Sequence, residues 1–369
     1  MKILMLSWRD IKHPKGGGAE KLSHEMARRW VAWGNEVVHF SASFPESKKE
    51  EHIDKVFYIR GGNPFTVHFL AFIKIISGQF GKFDVIVDEV HGYSFFASLY
   101  SPVPVVCLAC EVAKDIWDEM ISFPFNVIGK LIENVYLFFY RNVTFLTISE
   151  SSKSLLVAEG VNQNKITVLP MGFTYPEEVK VLPKYKKPTI IFLGRLAKTK
   201  GVPDAIKALA IVIKQIPDAS LIIVGKGTTD YEQELKGLIR SLNIEKAVEF
   251  KGFVSEQEKF ILLSKSHLIV VPSIREGWGL IVPEANIVET PAVVYNVEGL
   301  RDVTKNGING LITNKNTPED LAEKIVTLLK DKNLYAKMKV SSRTYARSLN
   351  WDDTAKVGLD IIKETVAKR

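Results

Sequence analysis

Two glutamates, Glu276 and Glu284, are separated by seven residues in the stretch Ser273-Ile-Arg-Glu-Gly-Trp-Gly-Leu-Ile-Val-Pro-Glu-Ala-Asn286. Upstream, residues 267–271 form a short apolar run that reads as a buried strand, so the segment is expected to run strand, glycine loop, helix, with Pro283 at the first helical position. Such a loop leaves the backbone N–H groups of Gly277, Trp278, Gly279 and Leu280 unpaired beside a helix N-terminus, an arrangement that favours a phosphate. Carboxylates on either side accept hydroxyl hydrogen bonds. The ligand that fits is sugar at both ends with a diphosphate in the middle. The plainer alternative is a surface loop and a helix whose first turn carries Glu284 because the dipole favours an acid there.

A second cluster follows the apolar run 189–193 and reads Gly194-Arg195-Leu-Ala-Lys-Thr-Lys200-Gly201. Two cations five residues apart on a loop after a strand can converge on one diphosphate and stabilise the charge of a leaving group without a metal. Near the amino terminus, Gly16-Gly17-Gly18 precede a helical pattern with Leu22, Met26 and Trp30 on one face. The dinucleotide fingerprint fails there, because the third glycine falls at Lys21 and the loop from the preceding strand is long. A redox cofactor is not indicated. Those glycines still let backbone approach a diphosphate, or they form a plain helix-start turn. His91, just past the run 84–88, and Glu111, just past 103–109, lie where parallel strands end and ligands bind, and both are candidates by position.

The elements that must position these groups alternate between short apolar runs and amphipathic helical patterns in both halves, which predicts α/β architecture with parallel sheets. A chain of 369 residues suits two domains. Pro170, Pro176, Pro183 and Pro188, with lysines among them, break all periodicity and mark the boundary. The domains are expected over 1–175 and 188–348, with a last amphipathic helix over 349–369. The formal charge of +7 lies wholly in the second half: residues 1–170 hold 18 basic and 18 acidic side chains, residues 171–369 hold 31 and 24. That excess suits an anionic nucleotide, an acidic membrane surface or a solvated face, and is too mild for a nucleic-acid binder.

No apolar run approaches a membrane span and the amino terminus lacks a cleavage pattern, so a cytoplasmic protein is expected. The only two cysteines, Cys107 and Cys110, form a Cys-x-x-Cys on an apparent strand with no second ligand pair at zinc spacing, and read as buried thiols. Two segments, 65–80 and 123–140, are rich in aromatics. The second is apolar over more than one stripe, which fits either packing on both sides or docking on lipid or a lipid-linked acceptor.

Arg-Glu-Gly-Trp-Gly-Leu-Ile-Val-Pro-Glu-Ala resembles the Glu-x7-Glu motif of the family 4 glycosyltransferases, retaining enzymes of the GT-B fold, in which two Rossmann-like, doubly wound domains face a cleft and a carboxy-terminal helix crosses back to the first domain. Gly194-Arg195-Leu196 with Lys200-Gly201 resembles that family's basic loop, and Gly-Gly-Gly-Ala-Glu ahead of a helix resembles its amino-terminal glycine loop. The likeness covers nearly the whole chain and is strongest over 190–311. It implies transfer of a sugar, with retention, from a UDP- or GDP-sugar to a glycan, lipid-linked or small-molecule acceptor.

In that likeness Glu276 contacts the donor sugar, Glu284 the ribose, Arg195 and Lys200 the phosphates, and backbone near Gly252 and Phe253 the base. Gly17, Gly18, Gly194 and Gly277 to Leu280 complete the donor site. It further implies no cofactor and no metal, in keeping with the absence of any Asp-x-Asp, and a contact with the membrane surface if the acceptor is lipid-linked. Many members carry a histidine near the position of Cys110, and this chain does not. A sugar-nucleotide epimerase and a nucleotide-sugar-binding protein without catalysis are the alternatives.

Overall fold

Runs of β-branched and aliphatic residues form β1 (Lys2–Leu6), β2 (Glu36–Ser41), β3 (Glu50–Ile53), β4 (Val56–Arg60), β5 (Val85–Val90), β6 (Val105–Ala109), β7 (Thr144–Thr147) and β8 (Ile166–Val168). They assemble in the order β3-β4-β2-β1-β5-β6-β7-β8. Every pairing is parallel except β3 with β4, a hairpin that the sequence pattern did not announce. The computed structural model describes residues 1–90, 94–110, 112, 117, 124–176 and 178–368. By contacts the chain divides into two units, Met1–Gly172 with Asn350–Arg369, and Phe173–Leu349.

In the first unit, α1 (Gly18–Ala32) buries Leu22, Met26 and Trp30, as their spacing predicts. It packs on α12 (Trp351–Ala367), where Trp30 Nε1 donates to Ala355 O at 2.7 Å and Gly358 leaves room for Trp30 and Met26. The opposite face of the sheet presents Leu4, Leu6, Ile86, Asp88, Val90, Cys107 and Ala109, which the parallel register places side by side. On this face α2 (Val67–Ile76) packs Val67, Ala71 and Ile75 against the Leu4–Ile86 portion. Beside it α3 (Phe125–Tyr140) packs Tyr136, Leu137 and Tyr140 against Val90, Cys107 and Ala109. α4 (Glu150–Ala158) starts at Ser149, whose hydroxyl accepts from Ser152 N at 3.0 Å.

The two aromatic-rich segments do not pack on both sides. Of the twelve exposed positions inside α2 and α3, eleven are apolar, and the twelfth is Asn134. The amphipathy of α3 is inverted: Glu133 is turned inward and accepts from Trp117 Nε1 at 3.1 Å, while Leu131 and Phe138 are 62% and 58% exposed. Of the two thiols, Cys107 is fully buried and burial pushes its pKa up, whereas Cys110 lies just past β6 and is half-buried.

The second unit is a parallel sheet of β9 (Thr189–Leu193), β10 (Ser220–Val224), β11 (Val248–Gly252), β12 (Leu268–Val271), β13 (Ala292–Val294) and β14 (Gly310–Ile312) in the order β11-β10-β9-β12-β13-β14. α5 (Val202–Ile213), α6 (Thr229–Ser241), α7 (Glu256–Lys265), α8 (Ile281–Asn286), α9 (Leu300–Val303), α10 (Pro318–Lys330) and α11 (Lys332–Ser348) cover it. The winding direction reverses between β9 and β12 in this sheet, and between β1 and β5 in the first. In open α/β sheets such reversals open a crevice at the carboxyl ends of the strands, where ligands bind.

Candidate active site

The loops that leave β9 and β12 flank the reversal of the second sheet; two close approaches lock them together, and a third ties the loop after β13 to the second of them. Gly201 ends the first loop at φ +67°, and a Cβ there would stand 1.9 Å from Pro272 O, so only glycine fits. Ile274 N donates to Thr199 O at 2.9 Å. At Gly299, φ +74°, a Cβ would stand 2.2 Å from Glu276 O. Segments nearly a hundred residues apart in sequence therefore converge on Glu276. Its Oε1 accepts from Lys200 Nζ at 2.6 Å and from Ser273 Oγ at 3.1 Å. The Lys200 and Glu276 side chains keep 25% and 18% of their surface exposed, enough for a ligand to reach the pair.

Arg195 stands exposed on the same loop with no acidic partner among the described residues. The loop is pinned toward β10 by Gly225, where a Cβ would stand 1.8 Å from Gly194 O, and by Leu196 N donating to Lys226 O at 2.9 Å. Gly225 N in turn donates to Gly252 O at 2.8 Å, and Phe253, next along the chain, is 78% exposed. Thus Gly194, Arg195, Lys200, Gly252, Phe253 and Glu276 all stand at the carboxyl edge of one sheet.

Gly277, Trp278, Gly279 and Leu280 precede α8. Their amides donate to no protein acceptor among the described residues. Gly279 takes φ +81° and Trp278 is buried, which fixes the loop from both sides. The helix begins two residues earlier than the sequence suggested: Pro283 is its third residue, where the missing N–H is still one that a helix start leaves unpaired. Because α8 has only six residues, the free amides rather than a long helix dipole make this edge receptive to an anion.

Glu284 is held by Lys259 on α7, Nζ to Oε1 at 3.0 Å. Sequence reasoning missed Lys259, which sits in a charged helix start where lysines usually face solvent. It also missed the buried clamp at the end of α8, in which Asn309 Nδ2 donates to Asn286 Oδ1 at 2.8 Å and Asn286 Nδ2 returns to Asn309 O at 3.1 Å.

In the first unit Gly17 is the N-cap of α1, and its amide donates to Glu20 Oε2 at 2.6 Å, while Arg9 Nε holds Glu20 Oε1 at 2.7 Å. The amides of Gly18 and Ala19 have no protein acceptor among the described residues. His91 and Glu111 lie outside the described residues. Just before His91, Asp88 is fully buried; burial pushes its carboxyl up to about 6, although Tyr140 Oη and the amides of Phe95 and Ala97 donate to it.

Two family models match, glycosyltransferase family 4 over residues 16–174 and glycosyl transferases group 1 over 175–345. An uncharacterized glycosyltransferase of Methanocaldococcus jannaschii is 30% identical over 176 residues, 47% of this chain and 44% of that protein, so the match spans under half of that relative's length. Among solved structures, sucrose-phosphate synthase from Thermosynechococcus elongatus superposes with a TM-score of 0.77 over 100% of both chains at 18% identity. Anabaena HepE, solved in complex with UDP, superposes with a TM-score of 0.74 over 99% of this chain and 100% of its own, at 19% identity. These likenesses show the GT-B fold. With the two models spanning consecutive stretches of both units, the chain belongs to the family 4 glycosyltransferases of group 1.

Proposed function

We propose that this protein transfers a glycosyl group, with retention and without a metal, from a nucleotide-sugar donor held by the second unit. The observation that carries the reading is the convergence of Lys200, Ser273 and the amide-bearing loop 277–280 on Glu276 at the reversal of the second sheet. Glu276 accepts from the donor sugar's hydroxyls, Glu284 from the ribose, and the base lies against Phe253 and the backbone at Gly252. Arg195, Lys200 and the free amides of Gly277 to Leu280 take the diphosphate, with Gly194 letting the loop approach. Anabaena HepE, of the same fold, was solved with UDP, which supports a UDP-sugar over a GDP-sugar as the donor to try first.

In the reaction the bond between the sugar's anomeric carbon and the diphosphate oxygen breaks on the face that the acceptor hydroxyl enters. Charge on the departing diphosphate grows, and that is where preorganised cations and amides contribute most. The diphosphate oxygen takes the acceptor's proton. Lys200 and Glu276 neutralise each other before the donor binds, and the donor then supplies a phosphate for one and hydroxyls for the other.

The acceptor is assigned to the first unit, with His91 and Glu111 as candidates to contact the reacting sugar. The acceptor class that the surface favours is a lipid-linked glycan. The exposed positions of α2 and α3 carry no acid, both helices cover one face of the sheet, and Leu99, also exposed, lies on the short turn that α3 touches. Arg141 caps this patch with its guanidinium 4.6 Å from the Phe138 ring, a pairing suited to a headgroup layer. Peripheral attachment to the cytoplasmic face of a membrane follows from that reading. Among the described residues no helix is long and apolar enough to cross one.

The test pairs Leu131→Asp with Phe138→Asp in flotation with vesicles of mixed zwitterionic and anionic lipid. Wild type should float and the double variant should not, with its melting temperature unchanged because both side chains are exposed. Equal flotation of the two proteins, or a wild type that stays free of vesicles, sinks the membrane reading.

A further inference from the structure

The eleven residues between β1 and α1 form a long loop, and what fixes it lies underneath. Asp10 is buried, and its Oδ1 accepts from Lys12 N at 2.9 Å. Its Oδ2 accepts from Ser41 Oγ at 2.8 Å and from Arg60 Nε at 2.5 Å. Ser41 and Arg60 are register partners at the carboxyl ends of β2 and β4. Arg60, whose side chain is wholly buried, also donates to Glu51 Oε1 at 2.5 Å and to Lys48 O at 3.0 Å, and Glu51 Oε2 receives Lys12 Nζ at 2.6 Å. The ring closes through Lys12, so four strand and loop segments meet on one ion pair.

From Asp10 the loop advances in two tight steps to the glycines: His13 N donates to Asp10 O at 3.0 Å, and Gly16 N to His13 O at 2.7 Å. Phe44 joins the same support, with the His13 ring 5.3 Å away edge-on and the Arg60 guanidinium 5.1 Å from its face. Burial alone would raise the Asp10 carboxyl, and the hydrogen bonds from Arg60, Ser41 and the Lys12 amide outweigh it, leaving its pKa below the ordinary value.

We infer that Asp10 and Arg60 are positioning residues for transfer: their buried ion pair fixes Gly16 to Gly18 at the carboxyl edge of the first sheet, so that this loop keeps the one conformation that transfer requires. This rests on the proposed transfer reaction for its kinetic consequence, and on geometry alone for the fixing of the loop. Both residues are buried beneath the loop. A buried charge left without its partner is unfavourable enough to rearrange its surroundings, and the surroundings here are the loop.

The experiment compares wild type with Arg60→Gln, Arg60→Lys and the milder, isosteric Asp10→Asn. Ile362→Ala, which truncates a buried side chain of α12 in the same unit, serves as a control for general destabilisation. Hydrogen exchange over residues 9–20 and over β5 is read by mass spectrometry, and kcat and donor KM by release of nucleoside diphosphate, at a temperature where every variant is folded. Faster exchange confined to 9–20 and a kcat at least tenfold lower are expected for Arg60→Gln and Asp10→Asn, with partial recovery in Arg60→Lys. Ile362→Ala should lower the melting temperature and change neither readout. If both ion-pair variants behave as Ile362→Ala does, the inference is overturned. If wild type releases diphosphate from no donor, the transfer reading fails, and the exchange over 9–20 decides the fixing of the loop by itself.

Discussion

The two sheets reverse their winding at one point each, and the polar groups gathered at those two points are built in opposite ways. In the second sheet the charged pairs Lys200–Glu276 and Lys259–Glu284 stay partly open to solvent. They are held by glycines that let backbone cross backbone, with Gly201 against Pro272 and Gly299 against Glu276. In the first sheet the charges are buried: Arg60–Asp10 under one loop, and Asp88, which among the described residues has neutral donors as partners, beneath α3. Apolar side chains take the surface there instead. A site that must exchange its internal ion pair for a charged ligand keeps that pair reachable. A platform that must hold a loop still hides its charges.

The largest effect that separates the two designs should come from the second. Glu276→Ala removes the group proposed to contact the sugar, and transfer should fall by a factor of about 100 or more, with a melting temperature close to wild type. Lys200→Ala should follow it. Wild-type turnover by either folded variant would break the assignment. Next in size is Gly201→Ala, where a methyl would overlap Pro272 O at a positive φ. A loss of roughly 2–4 kcal/mol of unfolding free energy is expected, measured by denaturant titration. A neutral result would mean that the two loops are not locked as described.

A smaller effect contrasts the two buried aspartates of the first sheet. Asp88 has a folded pKa raised to about 6, so the folded state binds its proton more tightly than the unfolded chain. Its contribution is favourable below the unfolded value near 4 and is lost as pH rises through about 6. The slope amounts to at most ~3 kcal/mol. Asp10 has the opposite sign: its pKa is lowered, so its stabilisation is present above the unfolded value and lost as pH falls through the folded one. Asp88→Asn should flatten the fall in stability between pH 4 and 6, and Asp10→Asn should leave that window alone while lowering stability at neutral pH. Identical pH profiles for the two variants would erase the distinction.

Much of the second unit was legible because its information is local. Gly194, Arg195, Lys200 and Gly201 share one loop, Glu276 to Glu284 another, and short apolar runs announce the strands that carry them. What local spacing could not show was that Lys200 and Glu276 pair with each other, or that Lys259 reaches Glu284 from a helix 25 residues earlier. The first unit hid more. Asp10 finds Arg60 across 50 residues and Asp88 finds Tyr140 across 52, distances over which periodicity carries no signal. The hairpin that delivers Arg60 is made of Glu, His, Tyr and Arg as much as of aliphatic residues, so it did not read as strand. The excess of apolar residues in 123–140 was visible in sequence. Which side of α3 they occupy was settled by Gly129, where a Cβ would stand 2.5 Å from the Trp117 ring, and by the inward Glu133.

The most direct test of the central claim is release of nucleoside diphosphate from a panel of UDP- and GDP-sugars, with and without a lipid-linked glycan acceptor, for wild type beside Glu276→Ala. Release from one donor is expected, dependent on the acceptor and absent in Glu276→Ala. An epimerised sugar formed without acceptor, donor binding with no turnover on any acceptor, or release that survives in Glu276→Ala would contradict the claim.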